Sequence, residues 1–176
     1  MQPRFPYRLI RRLMLVPAIL WLTLAGPSVA AQQSNEALAP ELSGLGSIHM
    51  PVTTNVPKAQ VFFDQGVRLL YAFNHQEARR AFQEAARLDP SLSMAHWGIA
   101  LSFAPNLNAP MSAENGRAAY AAIQTARRGA SRASARERAL IEAQAARFAA
   151  RPESPRPPLD RAYAEEMARV AADHPD

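Results

Sequence analysis

Few residues in this chain are able to do chemistry, and their spacing brings few of them together. The histidines are four: His49, His75, His96 and His174. Imidazole chemistry needs a metal held by several converging ligands, or a carboxylate that orients the ring. The helical pattern described below places His75 at the end of one helix and His96 near the start of a parallel one. The two rings then lie at opposite ends, about 20 Å apart at about 1.5 Å per residue. His49 is expected at the same end as His96, but two imidazoles without a fixed carboxylate make a poor site. His75 therefore reads as a turn residue and His96 as a packed helix residue. Asn106 and Asn108 offer amide oxygens to a hard cation, but their loop holds no acid. Cysteine is absent, which removes disulfides and thiolate metal sites. Neither a Gly-x-Ser-x-Gly elbow nor a glycine-rich phosphate loop occurs among the seven glycines. Glu165 and Glu166 are adjacent on a helix and do not face each other. No catalytic residue, metal ligand or cofactor is assigned, and the chain reads as a binding protein.

The elements that position these residues are helices throughout. Within residues 59–92, Gly66, Ala78, Phe82, Ala85 and Pro90 follow one another at spacings of 12, 4, 3 and 5. Small residues at such positions let two antiparallel helices approach closely, and Phe82 fills the gap they leave. Asp89-Pro90 is expected to start the next helix, with Asp as N-cap and Pro in the first helical position. That helix is expected over Leu92 to Phe103, with Ala95, Ile99, Ala100 and Phe103 inward. A loop with two prolines, Ala104 to Met111, follows. Helix resumes near Ser112, where Ala119, Ile123 and Ala126 repeat the spacings of 4 and 3. Ser134 and Glu137 form a capping box for a helix running to about Ala150, with Leu140, Ile141 and Phe148 on its apolar face. The four prolines of Arg151 to Pro158 predict a loop. A last helix, Leu159 to about Ala172, carries Leu159, Tyr163, Met167 and Val170 on one face. No segment after residue 59 alternates as a strand does.

The spacing over residues 59–92 resembles the tetratricopeptide consensus. Gln65 departs from it, standing where that pattern has Leu; Leu69 and Phe62 replace Tyr and Trp. Over about residues 44–176 the chain is similar to the N-terminal part of a longer family of exported bacterial tetratricopeptide proteins. The shared features are His49-Met50-Pro51-Val52-Thr53-Thr54, the FDQG run Phe63 to Gly66, Phe73-Asn74-His75, Trp97-Gly98, and Pro105 to Asn108. The resemblance implies an all-α fold: a tetratricopeptide-like right-handed α-α solenoid of about three helix pairs, the second and third degenerate, in a chain truncated at its C-terminus. It assigns no biochemical activity.

In such arrays the first helix of each pair lines a concave groove. Here the register puts Gln60, Phe63, Val67, Leu70 and Tyr71 in the groove from the first pair, and Met94, Trp97 and Leu101 from the second. Clamps for a carboxylate terminus carry Lys and Asn there, whereas these side chains are mostly apolar or aromatic. The expected partner is a protein or peptide with an apolar segment. The competing expectation is that the groove is filled by the chain itself, through residues 44–56 or a missing C-terminal part, because large exposed apolar patches are rare in soluble monomers.

The start of the chain has the organisation of an export signal. Arg4, Arg8, Arg11 and Arg12 precede an apolar stretch, Leu13 to Ala25, which Gly26 and Pro27 break before small residues. Thirteen residues span about 20 Å as a helix, short of the roughly 30 Å hydrocarbon core, so cleavage near Ala30 or Ala31 is expected rather than anchoring. Residues 1–31 thus form a signal peptide, met by the membrane only transiently. Residues 32–56 form a linker and extended segment, and residues 57–176 the helical domain, in a periplasmic or secreted protein. Without its leader the chain keeps 16 of its 20 basic residues against 15 acids, a net charge of +1 that lacks the footprint of a nucleic-acid binder. The expected function is a non-catalytic interaction or scaffold module of the cell envelope. The alternatives are an accessory repeat domain of a larger exported enzyme and a histidine-dependent metal or redox carrier.

Overall fold

The structure, a computed structural model, describes residues 36–106, 108 and 110–175. The expected signal peptide and its cleavage site lie outside the described residues. Within them the chain is all-α, with six helices and one 3-10 turn.

The helices are α1 (Pro57–Tyr71), α2 (His75–Leu88), α3 (Ser93–Ser102), α4 (Ala113–Gly129), α5 (Ala135–Ala146) and α6 (Arg156–Asp173), with the 3-10 turn Ala130–Arg132 after α4. Their starts follow local chemistry. Pro57 opens α1, where its missing N–H costs no intrahelical bond. Asn74 caps α2 by accepting from the Glu77 N–H, and Ser112 caps α4 by accepting from that of Asn115. Ser134 and Glu137 close a reciprocal capping box on α5. The α1–α2 connection is a Schellman turn: Asn74 N–H reaches Leu69 O at 2.9 Å and Phe73 N–H reaches Leu70 O at 3.0 Å. Such a turn needs a left-handed residue, and here that residue is Phe73, at φ 59°.

Three boundaries differ from expectation. First, α3 begins at Ser93 with Leu92 as N-cap, so Asp89 does not cap it and Pro90 is not its first residue. Asp89 instead ends α2 and turns its carboxylate back to the Ser91 N–H and hydroxyl. Second, α5 stops at Ala146, and Phe148 is buried from the turn beyond it. Third, Pro157 and Pro158 lie inside the first turn of α6, which starts at Arg156 rather than Leu159. A first turn has no N–H partners to lose, so proline is tolerated there.

Consecutive helices pack against each other: α1 on α2, α2 on α3, α3 on α4, α4 on α5 and α5 on α6, with α3 also touching α1 and α5. Phe82 of α2 sits at the centre of the first three. Its ring edge meets the backbone of α1 at Gly66 and of α3 at Gly98, where an added Cβ would stand 2.5 Å from the nearest ring carbon in each case. Phe63 packs on the same ring, centroid to centroid 5.4 Å. Ala78, Ala81 and Ala85 of α2, and Ala119, Ile123 and Ala126 of α4, are wholly buried, so small side chains set the approach of both pairs.

Candidate functional site

The expected groove residues separate by burial. Phe63, Val67 and Met94 belong to the core; Leu70 and Leu101 are half-buried against it. Trp97 is 9 % exposed, and its indole N–H donates to Leu140 O at 3.2 Å, tying α3 to α5. Of the expected residues only Tyr71 is largely exposed, at 71 %. Phe73 stands two residues on, 57 % exposed and in T-shaped contact with His75. The apolar positions therefore do not form one open groove; what they leave outside is an aromatic pair at the α1–α2 turn.

Residues 36–56 contain no helix, and they are fastened along their length by side chains of the helices. Leu38 N–H donates to Glu84 Oε2 at 2.9 Å and Leu42 N–H to Gln65 Oε1 at 2.8 Å. Gln65 returns a bond from Nε2 to Pro40 O, and Arg68 donates to Ile48 O. Met50 N–H donates to Asp64, whose other oxygen lies 2.7 Å from His49 Nδ1. Gln60 takes the Val52 N–H and donates to Met50 O. Farther on, Thr53 donates its N–H and its hydroxyl to Glu137, and Thr54 its hydroxyl to Asp89. An isolated extended segment lacks partners for its own backbone, and these side chains supply them.

Four carboxylates do most of this work: Asp64, Glu84, Asp89 and Glu137, each under 9 % exposed. Arg87 grips Glu84 through two hydrogen bonds and holds its carboxyl below the usual range, against the opposing effect of burial. Burial works against the charge of Asp89, but bonds from Ser91 and Thr54, with the Arg132 charge nearby, more than offset it. Burial likewise opposes ionisation of Glu137, and donors from Thr53 and Ser134 outweigh it. All three are ionised acceptors at neutral pH and have no proton to give.

Asp89 and Glu137 also wall a cavity of about 300 Å³, together with Thr53, Thr54, Met94 and Arg132. A neighbouring cavity of about 310 Å³ lies across the Asp89–Ser93 turn and is lined by Ser91, His96, Arg128 and Arg132 among others. The sequence assigns none of these carboxylates to a site and gives Asp89 and Glu137 only as helix caps. One signal for the fastened segment was present. Gln65, the polar residue standing at an apolar consensus position, is buried and bonds the segment with both amide atoms.

The histidines lie apart. His49 meets Asp64 rather than His96, and His75 Nε2 lies 3.3 Å from the Asn106 amide. Asn106 Oδ1 accepts from the Asn108 N–H at 2.8 Å, so the loop uses one amide to hold itself. Among the described residues no group of three or more His, Asp or Glu is placed to hold a metal ion. Nor is any described helix long and apolar enough to cross a membrane. No family model, no curated protein and no solved structure matches the chain.

Proposed function

We propose that this chain is a non-catalytic interaction module of the bacterial cell envelope, built as a tetratricopeptide-like array of helix pairs. Two features support the array reading. Helices pack in chain order, as quasi-one-dimensional repeats do. Gly66 of α1 faces the edge of the Phe82 ring, and Ala78 and Ala85, a turn to either side of Phe82 on α2, are buried.

The observation that carries the binding reading is Phe73. An aromatic side chain in the left-handed region costs about 1–2 kcal/mol, and glycine would occupy the same turn freely. Phe73 recovers little of that cost by burial, being 57 % exposed beside the still more exposed Tyr71. Tyr and Phe are enriched in the cores of protein interfaces relative to the rest of the surface. The partner is a protein or peptide with an apolar segment that covers Tyr71 and Phe73.

Phe73→Gly and Tyr71→Asp test this. Phe73→Gly is expected to raise thermal stability and at the same time to abolish capture of the partner from envelope extract. Tyr71→Asp is expected to leave stability within about 0.5 kcal/mol and also to abolish capture. Unchanged capture by both folded variants refutes the reading.

The second reading, an accessory repeat of a larger exported enzyme, is favoured by α6. Leu159, Tyr163 and Met167 are only half-buried on that helix, and Val170 is its one buried residue, so its apolar stripe has room for a further helix pair. The source gene read beyond the codon for Asp176 discriminates between the two.

A further inference from the structure

The aromatic pair at the α1–α2 turn has a charged neighbour. Phe73 packs edge-on against His75, with 6.1 Å between the ring centroids. His75 is the first residue of α2, and Arg79 stands four residues on, on the same face of that helix and about 6 Å along its axis. The Arg79 guanidinium lies over the ring of Phe103, the residue that ends α3, at 4.2 Å from its centroid. His75 turns to the same side, where its Nε2 meets the Asn106 amide, three residues beyond Phe103. Phe73, His75 and Arg79 therefore form one row beside the end of α3.

Arg79 differs from the other arginines of α2. Arg80 pairs with Glu77 and Arg87 with Glu84, each across three residues. Around Arg79 the residues three and four positions away are His75, Gln76, Phe82 and Gln83, and none is acidic. Among the described residues no carboxylate pairs with it, and what holds it is the Phe103 ring. The side chain is half-buried all the same. A guanidinium stacked on a ring keeps its N–H edge free, and that edge takes a carboxylate through two parallel bonds. Stacking also fixes the side chain in advance, which removes part of the ordering cost that makes a freely exposed ion pair weak.

We propose that the partner segment covering Tyr71 and Phe73 is acidic as well as apolar, and that an Asp or Glu side chain on it pairs with Arg79. The proposal rests on the aromatic pair being the docking point and adds the charge that its partner must carry. The His75 contact and the helix rise put Arg79 about 12 Å from the Phe73 ring, the span of about four extended residues. The carboxylate of the partner therefore stands about four positions from its apolar anchor. Such a segment supplies both things the row lacks, a cover for the exposed rings and a negative charge for the unpaired guanidinium.

Heteronuclear NMR titration of the full chain tests this with two peptides on a Gly-Ser backbone, acetylated and amidated so that their ends are neutral. One carries Phe with a Glu four positions to either side; in its twin both Glu are Gln. The Glu peptide is expected to shift the amides of residues 71–79 and to bind about tenfold tighter than its twin, the effect of one charge-assisted pair. Arg79→Gln is expected to reduce the affinity for the Glu peptide to that for the twin. Arg79→Lys keeps the charge without the planar fork; it is expected to fall between, and it replaces the Gln variant if that does not fold. Phe73→Gly is expected to weaken both peptides alike. Arg127→Gln is the control: Arg127 lies in the last turn of α4 and pairs with Glu142, and its loss leaves the tenfold preference in place. Equal affinity of the wild-type chain for the two peptides, or a preference that survives in the folded Arg79 variant, overturns the acidic requirement and leaves the aromatic anchor standing. Absence of any shift around Tyr71 and Phe73 with either peptide overturns the anchor and this proposal with it. Shifts of the same residues on raising the protein concentration without peptide assign the row to a second copy of the chain, and overturn the proposal too.

Discussion

The packing around Phe82 makes a prediction whose sign depends on context. A Cβ on Gly98 would lie 2.5 Å from Cδ1 and 2.6 Å from Cε1 of the ring, and one on Gly66 would meet the same edge at the same two distances. Carbon atoms in contact prefer about 3.5–4.0 Å, so a methyl at Gly98 needs about 1 Å of movement. The ring has nowhere to go, because Phe82 is wholly buried and α1 bounds the same edge. Overpacking costs about 1–3 kcal/mol, and so constrained a ring puts Gly98→Ala near the upper end. Alanine's helix preference over glycine returns about 1 kcal/mol, for a net loss of about 2 kcal/mol. Phe82→Ala alone opens a void and costs about 3–5 kcal/mol. In that background the Gly98→Ala methyl enters vacated space, and only the helix preference remains. Gly98→Ala should then stabilise by about 1 kcal/mol, an interaction between the two sites of about 3 kcal/mol. Thermal and urea unfolding of the four proteins, followed by helical circular dichroism, reads this directly. At about 2–4 °C per kcal/mol, Gly98→Ala should lower the melting point by about 4–8 °C alone and raise it by about 2–4 °C with Phe82→Ala. Equal destabilisation in both backgrounds would show that the ring is not what excludes the methyl. If Phe82→Ala does not fold, Phe82→Leu should show a smaller interaction of the same sign.

The fastened N-terminal segment gives the remaining predictions. Glu137→Gln turns an amide N–H₂ toward the donors of Thr53 and should cost about 1–3 kcal/mol, with faster hydrogen exchange at the Thr53 amide as its local signature. Glu84, Asp89 and Glu137 all have depressed folded pKa values, so their contribution is complete above the unfolded values of about 3.9–4.3 and is lost as pH falls through the folded ones. His96, whose folded pKa burial lowers, adds a gentler loss as pH drops below its unfolded value of about 6.5, so the melting temperature should decline slightly between about pH 7 and 5 and fall steeply below about pH 4; a steep phase that is missing below about pH 4 would contradict the assignment of carboxylates. Trp97→Phe removes the indole bond to Leu140 O and should cost about 1 kcal/mol, with exchange rising first in α5.

Much of the helical framework was legible because it is encoded locally. Asn74, Ser112 and Ser134 announce helix starts through side chains that reach only three residues on, and Gly66, Ala78 and Phe82 lie on two consecutive helices joined by a short turn. The misread boundaries also have local causes. Asp89-Pro90 has the form of an N-cap and first residue, but the Asp89 carboxylate takes its donors from Ser91 and Thr54 and the helix starts later. Pro157 and Pro158 look like loop residues because proline breaks helices everywhere except where a helix begins. That residues 44–56 cover the helices is one of the two expectations above, but the anchors of the segment are not legible, since its backbone partners lie as far as 84 residues away at Glu137 and 46 at Glu84. No periodicity records such pairings, since the segment is neither helix nor strand.

The burial of four carboxylates against one irregular segment has a physical consequence for how the helical body meets other molecules. Removing the segment would leave Asp64, Glu84, Asp89 and Glu137 without the N–H and hydroxyl donors of Leu38, Met50, Thr53 and Thr54. A buried acceptor stripped of its donor costs about 1–3 kcal/mol, and more when it is charged. An apolar peptide laid on the same face could not repay that loss, because it would have to present backbone donors at the same stations. The surface under residues 38–54 therefore favours its own segment over an incoming apolar ligand. The exposed ring of Tyr71, which makes no such bond to the segment, is where the geometry leaves room for one.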